Sequence, residues 1–141
     1  MKLSVIIPAK DEEGNIEETI SKISKILTTS SINHEIIVIN DHSNDSTLEI
    51  LQLLEKNIRE LKIINNEDKP GYGLTIRLGL ANYTGDIIAI MMADGSDSSK
   101  DLIKFYYKSL ENNSCVFGSR FSNGGTTYDY PKLKYILNRF F

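Results

Sequence analysis

The chain alternates short apolar runs with longer stretches in which apolar residues recur every three or four positions. The short runs are Leu3–Ile7, Glu35–Ile39, Leu61–Ile64, Ile87–Met92 and Cys115–Gly118, each bounded by polar or turn-forming residues. Their length and β-branched content predict strands. Pro8 is expected to stop the first of them. Ile87–Met92 is apolar throughout, which predicts a strand buried on both faces. Between the strands, the periodic stretches predict helices. The first helix carries Ile16, Ile20, Ile23 and Ile26–Leu27 on one face, and the second uses Leu48, Leu51, Leu54 and Ile58. The third covers Leu74–Tyr83, where Gly79 would permit close packing on a sheet. The fourth follows Asp97 with Leu102, Ile103, Phe105, Tyr106 and Leu110. Regular alternation of strand and helix predicts an α/β fold, a mainly parallel twisted sheet with helices on both faces.

Charges support the helix assignments. Glu12, Glu13, Glu17 and Glu18 gather at the start of the first helix, with Lys22 and Lys25 further on, the order the helix dipole favours. Asn15 with Glu18, and Ser98 with Asp101, have the spacing of capping pairs. Pro70-Gly71 marks a turn before the third helix. The pattern changes from Ser122 onward: Gly124-Gly125-Thr126-Thr127 is expected to be mobile, and Tyr130–Phe141 is aromatic and basic.

The 141 residues suffice for one domain with a proper core. A net charge of −3 argues against a nucleic-acid surface. The single cysteine, Cys115, has no partner for an internal disulfide and no metal-ligand spacing with His34 or His42. It reads as a small buried hydrophobe on a strand, which fits a reducing, cytoplasmic setting. Met1-Lys2 leads straight into a strand-like run, so no signal peptide is expected. No apolar run approaches the roughly 18 residues of a membrane span.

Candidate chemistry falls at one kind of place. Glu12 follows the first strand, Asp41 the second, Asp94 and Asp97 the fourth, and Arg120 the fifth. In a parallel sheet these are all C-terminal strand ends, where open α/β sheets bind ligands. Hard carboxylate oxygens suit Mg²⁺ or Mn²⁺. Such an ion would neutralise a diphosphate, and Arg120 would contact it bidentately. Taken singly, the same residues have plainer readings. Asp94 and Asp97 suit a turn and a cap, Asp45 a helix cap, Glu12 a helix start, Arg120 a surface ion pair and His42 a solvated loop.

Read together, the motifs resemble family 2 glycosyltransferases, the nucleotide-diphospho-sugar transferases of GT-A fold. Ser4-Val5-Ile6-Ile7-Pro8-Ala9-Lys10-Asp11-Glu12-Glu13 resembles the family's first strand and P-x-x-N-E loop. Val38-Ile39-Asn40-Asp41-His42-Ser43-Asn44-Asp45-Ser46-Thr47 resembles its D-D-x-S-x-D-x-T turn. Gly71-Tyr72-Gly73-Leu74 is similar to the glycine loop that opens its third helix, and Met92-Ala93-Asp94 stands where D-x-D belongs. Val116-Phe117-Gly118-Ser119-Arg120-Phe121 resembles the G-S-R segment of the dolichol-phosphate mannosyltransferase-like branch.

The resemblance implies that Pro8 and Glu12 line a nucleoside pocket and that Asp41 contacts base or ribose. It implies that Asp94 binds metal or diphosphate and that Arg120 contacts the donor. Asp94 and Arg120 are the implied catalytic pair. Lys10, Asp11 and Asn40 depart from the usual residues, and Met92 replaces the first acid of D-x-D. A metal would therefore be held by Asp94 with Asp97 or water. Residues 1–121 correspond to a nucleotide-sugar-binding domain, and 122–141 to the start of an acceptor-side segment that usually runs further.

The implied reaction is inverting transfer of a sugar to an acceptor. A hydroxyl acceptor needs a base, for which Asp129 is the one candidate after Arg120. A polyprenyl monophosphate needs none, being largely dianionic at neutral pH. The aromatic, basic tail suits a membrane surface, packing on further residues, or self-association. Two rival readings are a non-catalytic nucleotide-binding module and a sugar-1-phosphate nucleotidyltransferase. The second usually carries a glycine-rich basic loop where this chain has an acidic one.

Overall fold

Four strands and four helices alternate in the computed structural model, which describes residues 1–112 and 114–118. β1 (Leu3–Ala9) leads to α1 (Ile16–Thr29), β2 (His34–Asn40) to α2 (Thr47–Glu55), β3 (Leu61–Asn65) to α3 (Tyr72–Leu80), and β4 (Ile87–Ile90) to α4 (Ser99–Asn112). The strands form one parallel sheet in the order β3-β2-β1-β4. The chain steps outward from β1 to β3, then returns to the opposite side of β1. That reversal places a topological switch point between β1 and β4.

Two-residue periodicity in the central strands fills both faces. Leu3, Val5 and Ile7 of β1, with Ile36 and Val38 of β2, share a core with Ile16, Ile20, Ile23 and Leu27 of α1, Leu51 of α2, and Leu102 and Tyr106 of α4. Ile6, Ile37 and Ile39 point the other way and pack against Ile76 and Leu78 of α3. Each isoleucine so enclosed contributes about 1.5–3 kcal/mol of transfer free energy. Gly79 sets how near α3 lies to the sheet, because a Cβ there would stand 2.5 Å from Ile6 Cγ2 and 3.0 Å from Ile39 Cδ1.

Four expectations are corrected. First, β1 runs through Pro8 to Ala9. Ile6 accepts the Met91 N–H, so alternate residues Ile6 and Pro8 face β4, whose pairing ends at Ile90. Pro8 thus lacks its N–H where no ladder bond would form. Second, β4 is half-exposed, with Ile88 and Ile90 accessible at 37% and 46%. It is one of the two edge strands among the described residues, with β3 at the other edge, and α3 packs on β1 and β2 but does not cover it. Third, Cys115–Gly118 is not a strand, and Cys115 is exposed. Fourth, Asn15 makes no side-chain cap; its amide turns to Glu12 Oε2 at 3.4 Å. Ser98 does serve α4, its Oγ accepting the Asp101 N–H at 3.3 Å.

The N-terminal edge of the sheet is closed by its own charges. Glu35 accepts hydrogen bonds from Ser4 Oγ, from Lys2 Nζ at 2.9 Å and from the Thr84 N–H at 2.7 Å. Burial works to raise the Glu35 pKa, but these bonds outweigh it and hold the carboxyl at about 2. Among the described residues, no helix is long and apolar enough to cross a membrane.

Two outcomes follow. Gly79→Ala should lower stability by about 1–3 kcal/mol in urea unfolding, since the Ile6 methyl it meets is fixed by β-branching; equal or greater stability would contradict the tight α3 contact. Glu35 is depressed in the folded state, so its contribution is present above the unfolded pKa and lost as pH falls from about 4.5 to about 2. The stability advantage of the wild type over Glu35→Gln, on the order of 2–3 kcal/mol at neutral pH, should shrink across that window. A pH-independent difference would contradict it.

Candidate active site

All four strand ends deliver their loops to one edge, and backbone bonds continue the sheet into those loops. The Asp41 N–H donates to the Ala9 carbonyl at 2.8 Å, and the Asn66 N–H to the Asn40 carbonyl at 2.9 Å. The loops after β1 and β2 interlock. Asp11 N–H donates to Ser43 Oγ at 3.1 Å, and Asn44 N–H to Asp11 Oδ1 at 2.7 Å. Glu12 N–H donates to Thr47 Oγ1 at 2.8 Å, Glu13 N–H to Asp45 Oδ2 at 3.0 Å, and Ser46 N–H to Glu13 Oε2 at 3.0 Å. The sharp turns put Asp11 and His42 in the left-handed region, φ 54° and 57°, which Asp and His tolerate better than most residues. Asp45 accepts the Thr47 N–H at 3.0 Å and so serves the start of α2. Glu12 is held through its backbone, and among the described residues its carboxylate has only the long Asn15 contact. Pro8 lies beside Ile39 near the end of β1, partly buried.

Asp41 is 5% exposed and holds the loop that leads into α3. Its Oδ1 accepts from Asn66 Nδ2 at 2.7 Å, and its Oδ2 from the Gly71 N–H at 2.9 Å. Gly71 has φ +154°, a backbone region that side chains exclude. Burial acts to raise the Asp41 pKa. The Asn66 and Gly71 bonds, the Thr75 hydroxyl and the charge of Lys10 together bring it below the ordinary carboxylate range. His42 Nε2 lies 2.7 Å from the Asp68 carbonyl. A carbonyl only accepts, so Nε2 carries the proton and is not a free base.

After β4 the chain forms a compact turn around its own acids. Asp94 Oδ1 accepts the Ser96 N–H at 2.9 Å, Gly95 has φ 71°, and Asp97 Oδ2 accepts the Met92 N–H at 2.8 Å. Both acids also have the turn role of the plainer reading, but both are exposed and each uses only one oxygen on these bonds. The donor set therefore fits one or two carboxylate ligands to a hydrated divalent ion that also takes phosphate oxygens. It does not form a closed protein cage: among the described residues, no three His, Cys, Asp or Glu side chains could hold one ion.

Glu12, Asp41, Asp94 and Asp97 thus share the C-terminal edge, and among the described residues none of them is in an ion pair. Arg120, Asp129 and the boundary at 121/122 lie outside the described residues. Asn66 and Thr75 were not expected at the site. Asn66 follows the apolar run of β3 as Asp41 follows that of β2, so the same reading of strand ends would have found it.

A parallel α/β sheet with acidic loops at its switch point is the architecture of nucleotide-diphospho-sugar transferases of GT-A fold, and comparison with known proteins agrees. A family model described as Glycosyl transferase family 2 matches residues 4–141, and the chain belongs to that family. It is 31% identical over 140 residues to the dolichol-phosphate mannosyltransferase of Pyrococcus furiosus, covering 99% of this chain and 39% of that protein. The structure of S. aureus TarS 1–349 in complex with UDP-GlcNAc is similar, with a TM-score of 0.62 and 25% identity over 86% of this chain and 38% of that one. The mannosyltransferase PcManGT of Pyrobaculum calidifontis, solved with GDP-Man and Mn²⁺, shares the fold at a TM-score of 0.57 and 23% identity, covering 65% of this chain and 27% of that one. The chain spans about two fifths of the length of the curated relatives it matches.

Proposed function

We propose that this domain binds a nucleotide-diphospho-sugar at the C-terminal edge of its sheet and serves inverting transfer of the sugar, with a polyprenyl phosphate as acceptor class. The observation that carries the reading is that Glu12, Asp41, Asp94 and Asp97 share the C-terminal edge of the sheet, none of them in an ion pair among the described residues. A nucleoside would lie against Pro8 and Glu12, with Asp41 facing base or ribose. Asp94, with Asp97, would hold Mg²⁺ or Mn²⁺, which supplies positive charge against the diphosphate. Arg120, placed by its motif, would bind the departing phosphate and stabilise the charge that grows on it. A phosphate acceptor attacks as a dianion, so no side chain has to remove its proton. Such an acceptor is lipid-borne, which would bring the domain to the cytoplasmic face of a membrane.

A second reading, nucleotide binding without transfer by these 141 residues alone, is favoured by the two-fifths coverage of the relatives. One set of measurements separates the readings. UDP, GDP and their sugars are titrated into the chain with and without Mn²⁺, and transfer to a polyprenyl phosphate is assayed alongside. A nucleotide should bind at millimolar concentration or below, more tightly with the ion. Asp94→Ala should abolish the ion's contribution, worth about tenfold in affinity. Binding without transfer selects the second reading. No binding, or ion dependence that survives in Asp94→Ala, contradicts the site assignment.

A further inference from the structure

Asn66 is buried, with 6% of its surface exposed, where the ends of β2 and β3 meet. Its backbone N–H and both ends of its side-chain amide are engaged. Its N–H donates to the Asn40 carbonyl at 2.9 Å, and its Oδ1 accepts the Asp68 N–H at 3.1 Å. Its Nδ2 donates to Asp41 Oδ1 at 2.7 Å and to the Lys69 carbonyl at 3.2 Å. One side chain therefore fixes the carboxylate of β2's end and the course of its own loop. The far end of that loop returns to the same carboxylate through the Gly71 N–H at 2.9 Å. The His42 ring ties the middle of the loop back at Asp68. Asn40 and Asn65, side by side in the ladder, add a hydrogen bond from Asn40 Nδ2 to Asn65 Oδ1 at 3.0 Å beneath it.

A carboxylate offers about four lone-pair directions. Two of Asp41's are taken from within, and little of the residue reaches solvent. What Asp41 can present to a ligand is therefore set by the groups that orient it. We propose that Asn66 is the positioning residue of the nucleotide pocket, holding the Asp41 carboxylate and the 66–71 loop in the geometry that a nucleoside meets. The inference rests on the donor-site reading above. It assigns Asn66 no contact with the nucleotide.

Removing the amide leaves Asp41 Oδ1 a buried acceptor without its partner and frees the loop from both strands. Replacing it by a carboxylate of the same shape sets two acids at hydrogen-bond distance, which then share a proton. Both changes act on the ionisation of Asp41, and the Gly71 amide, bonded to the other oxygen, reports it.

The test compares wild type, Asn66→Ala and the isosteric Asn66→Asp by titration with UDP and GDP, with the Gly71 amide followed against pH by NMR. Glu35→Gln, at the opposite edge of the sheet, controls for general loss of stability. Both Asn66 variants should bind nucleotide at least about tenfold more weakly. Their Gly71 transition should move to higher pH, further in Asn66→Asp. Glu35→Gln should lose stability and keep wild-type affinity. Affinity within twofold of wild type in a folded Asn66 variant, or an unmoved Gly71 transition, overturns the inference and leaves the donor site standing. Absence of nucleotide binding by the wild type overturns both.

Discussion

The position of β1 constrains everything else in the domain. It pairs in parallel with β2 along its whole length and with β4 over Leu3–Ile6. Parallel pairing forces each connection to cross the sheet, and the crossovers become the helices that cover it. β4 lies on the far side of β1 from β2 and β3, so the loop after β1 stands between the loops after β2 and β4, and α1 and α4 pack on the same face. No side chain creates this arrangement alone. It comes from strand order, and the apolar faces of β1 hold the order in place by packing α1 on one side and α3 on the other.

The two edges of the sheet treat acidic residues in opposite ways. At the N-terminal edge Glu35 is satisfied from within by Lys2, Ser4 and Thr84, and it ties three segments together. At the C-terminal edge the acids are met mostly by backbone N–H groups and amides. Gly71, Ser96 and Met92 donate to Asp41, Asp94 and Asp97, and Asn66 adds its side-chain amide. Such donors orient a carboxylate without cancelling its charge. The negative potential is therefore left in place, as the proposed divalent ion would require, where a protein ion pair would have consumed it. Asp41 differs from the rest in being nearly enclosed. It is part of the frame of this edge as well as a candidate wall of the proposed nucleotide site.

Much of this was legible in the sequence because the governing signals are local. Strand runs and helical periodicity located β1 to β4 and α1 to α4 within a few residues, and the rule that acids follow parallel strands found Glu12, Asp41, Asp94 and Asp97. What escaped depended on neighbours. Whether Ile88 and Ile90 are covered depends on how far α3 reaches, which their own apolar character does not encode. Whether Pro8 ends a strand depends on which neighbour its missing N–H would have faced. Cys115–Gly118 has strand-like composition, yet no strand forms there. Asn66 was overlooked because an amide after a strand suggests a turn, although it follows β3 as Asp41 follows β2.

The account's central claim is that the C-terminal sheet edge receives the nucleotide. The most direct measurement is a map of backbone amide shifts in the ¹⁵N-labelled chain as UDP or GDP is added with Mg²⁺. The account predicts that the largest changes fall in Lys10–Glu13, Asp41–Ser43, Asn66–Gly71 and Ala93–Asp97, while Lys2, Glu35 and Thr84 stay unmoved. Changes centred on the Lys2–Glu35–Thr84 edge, or none at millimolar nucleotide, would contradict it.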